Sequence, residues 1–178
     1  KKYTEKLIQK GVNIVDPERI DFRGEFIFGE NVSIDINVIF EGKVELGDNV
    51  SVGANCIITD SKVGAGSSIK PFSLIEGAVV GANTSIGPYG RIRPGTTLMN
   101  SVQIGNFVEV KNSTIKAGSR INHLSFIGDA NLEENVTIGA GTITCNHDGV
   151  KTNRTFIGKN SLVGSGSNLI APINLGEN

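Results

Sequence analysis

An apolar residue stands at nearly every sixth position of this chain. From Phe28 the series runs through Ile34, Phe40, Leu46, Val52 and Ile58, and continues to Leu175. Of its 25 positions, 22 are Ile, Leu or Val; the exceptions are Phe28, Phe40 and Thr144. A helix repeats its apolar residues at three and four, and an ordinary strand at two. A period of six requires very short strands joined by bends. Lettering the positions a, b and c in turn from Phe28, 19 of the 24 steps are six residues long. The four five-residue steps (58–63, 75–80, 110–115 and 127–132) and the one thirteen-residue step (144–157) all fall between c and a. Random slippage would scatter them over three corners. The unit is therefore a triangular coil of about 18 residues, stacked into an all-β parallel β-helix. One hexapeptide cannot bury its apolar side chain alone. Stacked coils, spaced about 4.8 Å apart, form a continuous inner ladder.

Composition agrees with many tight bends. Gly accounts for 23 of 178 residues, almost twice the usual share of about 7%. The net charge of −1 offers no field to attract nucleic acid or an anionic membrane. No apolar run exceeds three residues, which excludes a transmembrane helix and a signal-peptide core. Two cysteines cannot staple a domain of this size, so a reducing compartment is expected. Cys56, at an inward small position, is read as packing.

Residues 1–24 lack the period. Thr4 to Lys10, stopped by Gly11, reads as a short helix, and Asp16-Pro17-Glu18 as a turn. The expected organisation is a linker over 1–24 and the β-helix over 25–178. The polar stretch from Asn146 to Thr155 interrupts the period and is expected to project as an external loop. The chain opens on Lys1 and stops at Asn178 inside a repeat. It is read as a piece of a longer protein with further coils beyond it.

The register also aligns side chains. Arg93 follows Ile92 and Lys111 follows Val110, both on face c, so the two cations stack one coil apart. Like charges that close need a counter-ion, and two stacked cations on a rigid wall suit a phosphate; a salt-screened surface pair is the alternative. Glu109 is a candidate neutralising carboxylate. On face b, His123, Ala140 and Ser165 each lie two residues past a register position and form one line, provided the 146–155 loop does not reset the faces. Histidine there can act as a general base near neutral pH. With two histidines and no Cys-x-x-Cys, a zinc site of His and Cys ligands is not expected. No Walker or dinucleotide-binding fingerprint is present.

Ile86-Gly-Pro-Tyr-Gly-Arg-Ile-Arg-Pro-Gly95, Ile104-Gly-Asn-Phe-Val-Glu-Val-Lys111, Asn122-His-Leu-Ser-Phe-Ile-Gly-Asp129 and Thr137-Ile-Gly-Ala-Gly-Thr-Ile-Thr-Cys-Asn-His-Asp-Gly149 are specific. Together they resemble the acetyltransferase domain of the bacterial bifunctional enzymes that make UDP-N-acetylglucosamine. The resemblance spans essentially the whole chain and implies a left-handed coil. It implies acetyl transfer from acetyl-coenzyme A to glucosamine 1-phosphate in the cytoplasm, serving peptidoglycan and lipopolysaccharide synthesis, by a parallel homotrimer. Residue by residue, His123 matches the family's general base, which Glu109 can orient. Arg93 and Lys111 match its binders of the sugar phosphate. Ala140, Asn146 and Ser165 match positions that contact acetyl-coenzyme A. Magnesium belongs to the uridylyltransferase half, which this sequence lacks. The chain departs from the pattern at Phe126 and His147, where the family has Tyr, at Thr137 in place of Asn, and at Thr152 in place of Lys. Another hexapeptide acyltransferase and a non-catalytic trimeric β-helix are the competing readings.

Overall fold

The computed structural model describes residues 2–178 and is a three-sided parallel solenoid preceded by one short helix, Lys2–Gln9. Every strand pairing among the described strands is parallel. Face b is a nine-stranded sheet. Faces c and a form one sixteen-stranded sheet, because the strand Val38–Leu46 runs unbroken through the corner between them. Register positions from Ile34 to Leu169 are all buried, and Phe28 and Leu175 pack partly buried against the ends of the core. Each interior aliphatic removed from water contributes about 1.5–3 kcal/mol, so the stacked ladder is the main source of stability.

The solenoid begins earlier than the boundary at residue 24. Asn13–Ile14 pairs with Ser33–Ile34, and Ile20–Phe28 pairs along its whole length with Val38–Leu46. A 3-10 turn over Pro17–Arg19, capped by the Asp16 side chain, lies between those strands. It lengthens the step from Ile14 to Phe22 to eight residues, which hid the first coil from a search at six. Two glycines let the long strands turn their shared corner: a Cβ on Gly24 would collide with the backbone carbonyl of Gly42.

The small inward positions do more than fill space. In the coils of 17 residues the hydroxyls of Ser61, Ser67, Ser73, Ser113 and Ser119 accept backbone N–H bonds from Ala78, Thr84, Gly90, Ala130 and Val136, at 2.9–3.2 Å. Each hydroxyl thereby satisfies a buried donor that would otherwise cost about 1–3 kcal/mol. Cys56 is fully buried with its Sγ 3.2 Å from the Lys70 carbonyl, and burial pushes its thiol up to about 11. It packs, as its position suggested.

At the corner between b and c, Asn37, Asn55, Phe72, Tyr89, Phe107 and Leu124 adopt left-handed backbone, followed by Gly141 and Gly166. The exposed rings of Phe72, Tyr89 and Phe107 stack at 5.1 and 5.0 Å, one per coil. The 146–155 loop leaves the c–a corner with residues 147–150 exposed, as expected. It does not reset the faces: Thr137–Ile138 pairs with Leu162–Val163 across it. Among the described residues no helix is long and apolar enough to cross a membrane.

Candidate active site

The b-face line is intact. His123 ends the strand Arg120–His123, and the pairings Ile121–Ile138 and Ile138–Val163 put Ala140 and Ser165 in successive coils above it. The Gly141 N–H donates to the His123 carbonyl at 3.1 Å, and the Gly166 N–H to the Ala140 carbonyl at 2.8 Å. Gly139 permits this stacking, since a Cβ there would strike the Ser165 backbone nitrogen.

One coil below, Asn106 pairs with His123 in register, and its Oδ1 lies 2.7 Å from His123 Nδ1. A carbonyl oxygen only accepts, so with the amide so oriented Nδ1 is the donor, and in the neutral ring Nε2 has the lone pair. That is the form a general base needs. Glu109, expected to orient the imidazole, does not touch it; Asn106 holds that place. Extending the His123 column down by one coil would have found it.

The face-c cations also stack. Arg91 pairs with Glu109 and Ile92 with Val110, which puts Arg93 beside Lys111. Their charges are not bare, however. Arg93 Nη1 is 2.7 Å from Glu109 Oε1, and Lys111 Nζ is 4.0 Å from Asp129 Oδ2. Glu109 is thus the neutralising carboxylate, and the two carboxylates satisfy the pair without an outside anion. The wall keeps its capacity nonetheless. A guanidinium has five N–H donors and an ammonium three, so several remain to meet a phosphate. The side chains of Arg93, Lys111 and Glu109 are more than a third exposed, open to a ligand from solvent.

Asn146 lies at another corner. It follows the strand Ile143–Cys145, and its side chain donates to Asp129 Oδ2 at 2.5 Å instead of facing the His123 line. Phe126 lies on face c, in register between Glu109 and Ile143. Phe has no hydroxyl with which to hydrogen-bond. In the loop, His147 bridges Thr152, and its Nδ1 accepts from the Gly149 N–H. Asp148 accepts from the N–H groups of Lys151 and Val150 and from Asn153, which lowers its carboxyl to about 2. Among the described residues no cluster of His, Cys, Asp and Glu has the makings of a metal site.

Known proteins resemble this chain. A family model described as the GMPPB C-terminal domain matches residues 22–104, and one described as the hexapeptide repeat of succinyl-transferase matches residues 154–178. A bifunctional protein GlmU of Marinobacter nauticus is 51% identical over 173 residues, covering 97% of this chain and 38% of that protein. The GlmU of Chromobacterium violaceum is 54% identical over 169 residues, covering 95% of this chain and 37% of its own length. The chain thus spans well under half of these relatives. Among solved structures, the UDP-N-acetylglucosamine O-acyltransferase (LpxA) of Moraxella catarrhalis shares the fold at 15% identity and a TM-score of 0.50, covering 72% of this chain and 66% of that one. The chain is a left-handed parallel β-helix of hexapeptide repeats that is similar to a little over a third of the bifunctional GlmU proteins.

Proposed function

We propose that the chain transfers the acetyl group of acetyl-coenzyme A to the 2-amino group of glucosamine 1-phosphate. The product would supply UDP-N-acetylglucosamine synthesis, and through it peptidoglycan and lipopolysaccharide, in the cytoplasm. One observation carries the reading: a histidine whose Nδ1 faces Asn106 Oδ1 stands one face away from two stacked cations that retain free donors, in a chain half identical to GlmU proteins.

The chemistry follows from those parts. An ammonium cannot attack a thioester, so the amine must lose a proton. Nε2 of His123 accepts it, with Nδ1–H held by Asn106. Arg93 and Lys111 bind the phosphate and so place the amine. The amine nitrogen bonds to the thioester carbon, a second N–H proton passes to solvent, the C–S bond breaks, and the thiolate leaves with the proton from His123. A backbone N–H near Ala140 stabilises the tetrahedral oxyanion. The coenzyme lies along the outside of the coils past Ala140 and Ser165. Asn146 reaches it from the loop corner, from a neighbouring copy in a homotrimer.

The test is release of free thiol from acetyl-coenzyme A by the purified chain. Release that depends on glucosamine 1-phosphate supports the reading. Release with a different amine or a longer acyl chain only would make this another acyltransferase, and none with any acceptor would leave a scaffold.

A further inference from the structure

We propose that Asp129 is a positioning residue that ties the 146–155 loop to the phosphate-binding wall, so that one carboxylate sets both substrate sites. The proposal rests on the acetyltransferase reading above. Asp129 is 4% exposed and has left-handed backbone, with φ of 52°. A buried carboxylate is unfavourable unless its oxygens are satisfied, and these are. Oδ1 accepts from the Asn112 amide at 2.5 Å and Oδ2 from the Asn146 amide at 2.5 Å, with Lys111 Nζ 4.0 Å away. These neighbours come from three levels of the stack: Lys111 and Asn112 below, Asp129 itself, and Asn146 above.

Both feet of the loop stand on this residue. Its side chain holds Asn146, where the loop begins, and its backbone carbonyl accepts the Thr155 N–H at 3.2 Å, where the loop ends. The Asp129 N–H donates in turn to the Lys111 carbonyl at 3.0 Å. Arg154 ties the same loop end to the same corner, donating to Asn131 Oδ1 and to the Asn112 carbonyl. Neither neighbour of this corner in the lower coils, Pro94 or Asn112, carries a charge. Asp60 is a carboxylate at the same corner further down, but no loop springs from its level.

Asp129 thus acts in two opposite senses. It fixes Asn146 for the coenzyme, and it lowers the positive potential at Lys111 that the phosphate meets. Removing the charge while keeping the shape separates the two. Asp129→Asn should raise the KM for acetyl-coenzyme A about tenfold, as for loss of a charged hydrogen bond. It should leave the KM for glucosamine 1-phosphate unchanged or lower. The double variant Asp129→Asn with Asn146→Ala should be no worse toward acetyl-coenzyme A than Asn146→Ala alone, because the two residues act as one unit. Glu at 129 should not rescue, since the longer arm misplaces both amides. A rise in both KM values, or additive single effects, would overturn the proposal and leave Asp129 a structural residue. Should the unaltered chain show no transfer at all, the acetyltransferase reading falls by itself. Amide exchange then decides the loop's part: faster exchange confined to 146–155 in Asp129→Asn supports the anchor, and unchanged exchange refutes it.

Discussion

At the scale of single residues, the account turns on which atom of His123 is free. Asn106 occupies Nδ1, which leaves Nε2 to serve as the proposed base. His123→Ala should lower acetyl transfer by about 10²-fold or more with the fold unchanged; turnover near that of the unaltered chain would remove His123 from the mechanism. The loop offers a pH test. The Asp148 carboxyl, ordinarily near 3.8, is held at about 2 by the N–H groups of Lys151 and Val150 and by Asn153. A depressed carboxyl pKa favours the folded turn above the ordinary value and loses that advantage as pH falls from about 4 to 2. The amide shifts of Val150 and Lys151 should therefore titrate together with a midpoint near pH 2. A midpoint near 4 would mean the turn is not held by this carboxylate. Arg93, Lys111, His123, Ala140 and Ser165 were legible in the sequence because a solenoid of known register turns sequence spacing into spatial columns. Asp129 was not: its burial and its two amide partners depend on how the c–a corner closes, which the period does not state. Glu109 is not the partner of His123: its carboxylate is taken by Arg93, and the in-register neighbour of His123 one coil down is Asn106.

At the scale of elements, Thr144 is the exception that explains its own place. It stands at an aliphatic register position and is 1% exposed. Its hydroxyl accepts the Gly128 N–H at 2.7 Å and donates to the Gly128 carbonyl at 3.0 Å, where strand pairing between Phe126–Gly128 and Ile143–Cys145 is otherwise reduced to one residue pair. Thr144→Val would complete the apolar pattern and match the side chain's shape. It should nevertheless destabilise by about 1–3 kcal/mol, because a buried donor loses its partner. Chemical unfolding checks this; a variant as stable as the original would make the hydroxyl incidental. The b–c corner carries a second local cost. Phe72, Tyr89, Phe107 and Leu124 accept the left-handed backbone that neighbouring coils give to Asn or Gly, at about 1–3 kcal/mol each for residues of this bulk. Ring stacking along the coil axis offsets part of it. The first coil lies outside the period of six for an equally local reason: the 3-10 turn at Pro17–Arg19 stretches one step to eight residues.

At the scale of the whole molecule, the period of six carried nearly the entire fold, since a solenoid is one local unit repeated and each coil touches only its neighbours. The hand of the coil is different: spacing is blind to it, and it rests on the family. The long insertion after Thr144 keeps the faces aligned, because its two ends meet on Asp129 and the strands Thr155–Ile157 and Ile173–Leu175 resume the a face. For the assembled state, light scattering at micromolar concentration should give a homotrimer of about 56 kDa from chains of 18.8 kDa; a species of 18.8 kDa would contradict it. The central claim is that the Arg93–Lys111 wall selects an acceptor bearing a phosphate for a base at His123. Its most direct test compares kcat/KM for glucosamine 1-phosphate and for glucosamine, in the original chain and in Arg93→Ala and Lys111→Ala. The account predicts a preference of about 10²-fold or more for the phosphorylated acceptor in the original chain, as for several charge-assisted bonds. Each substitution should reduce that preference through the KM of the phosphorylated acceptor, with the KM for acetyl-coenzyme A little changed. Equal use of glucosamine and glucosamine 1-phosphate by the original chain would contradict it.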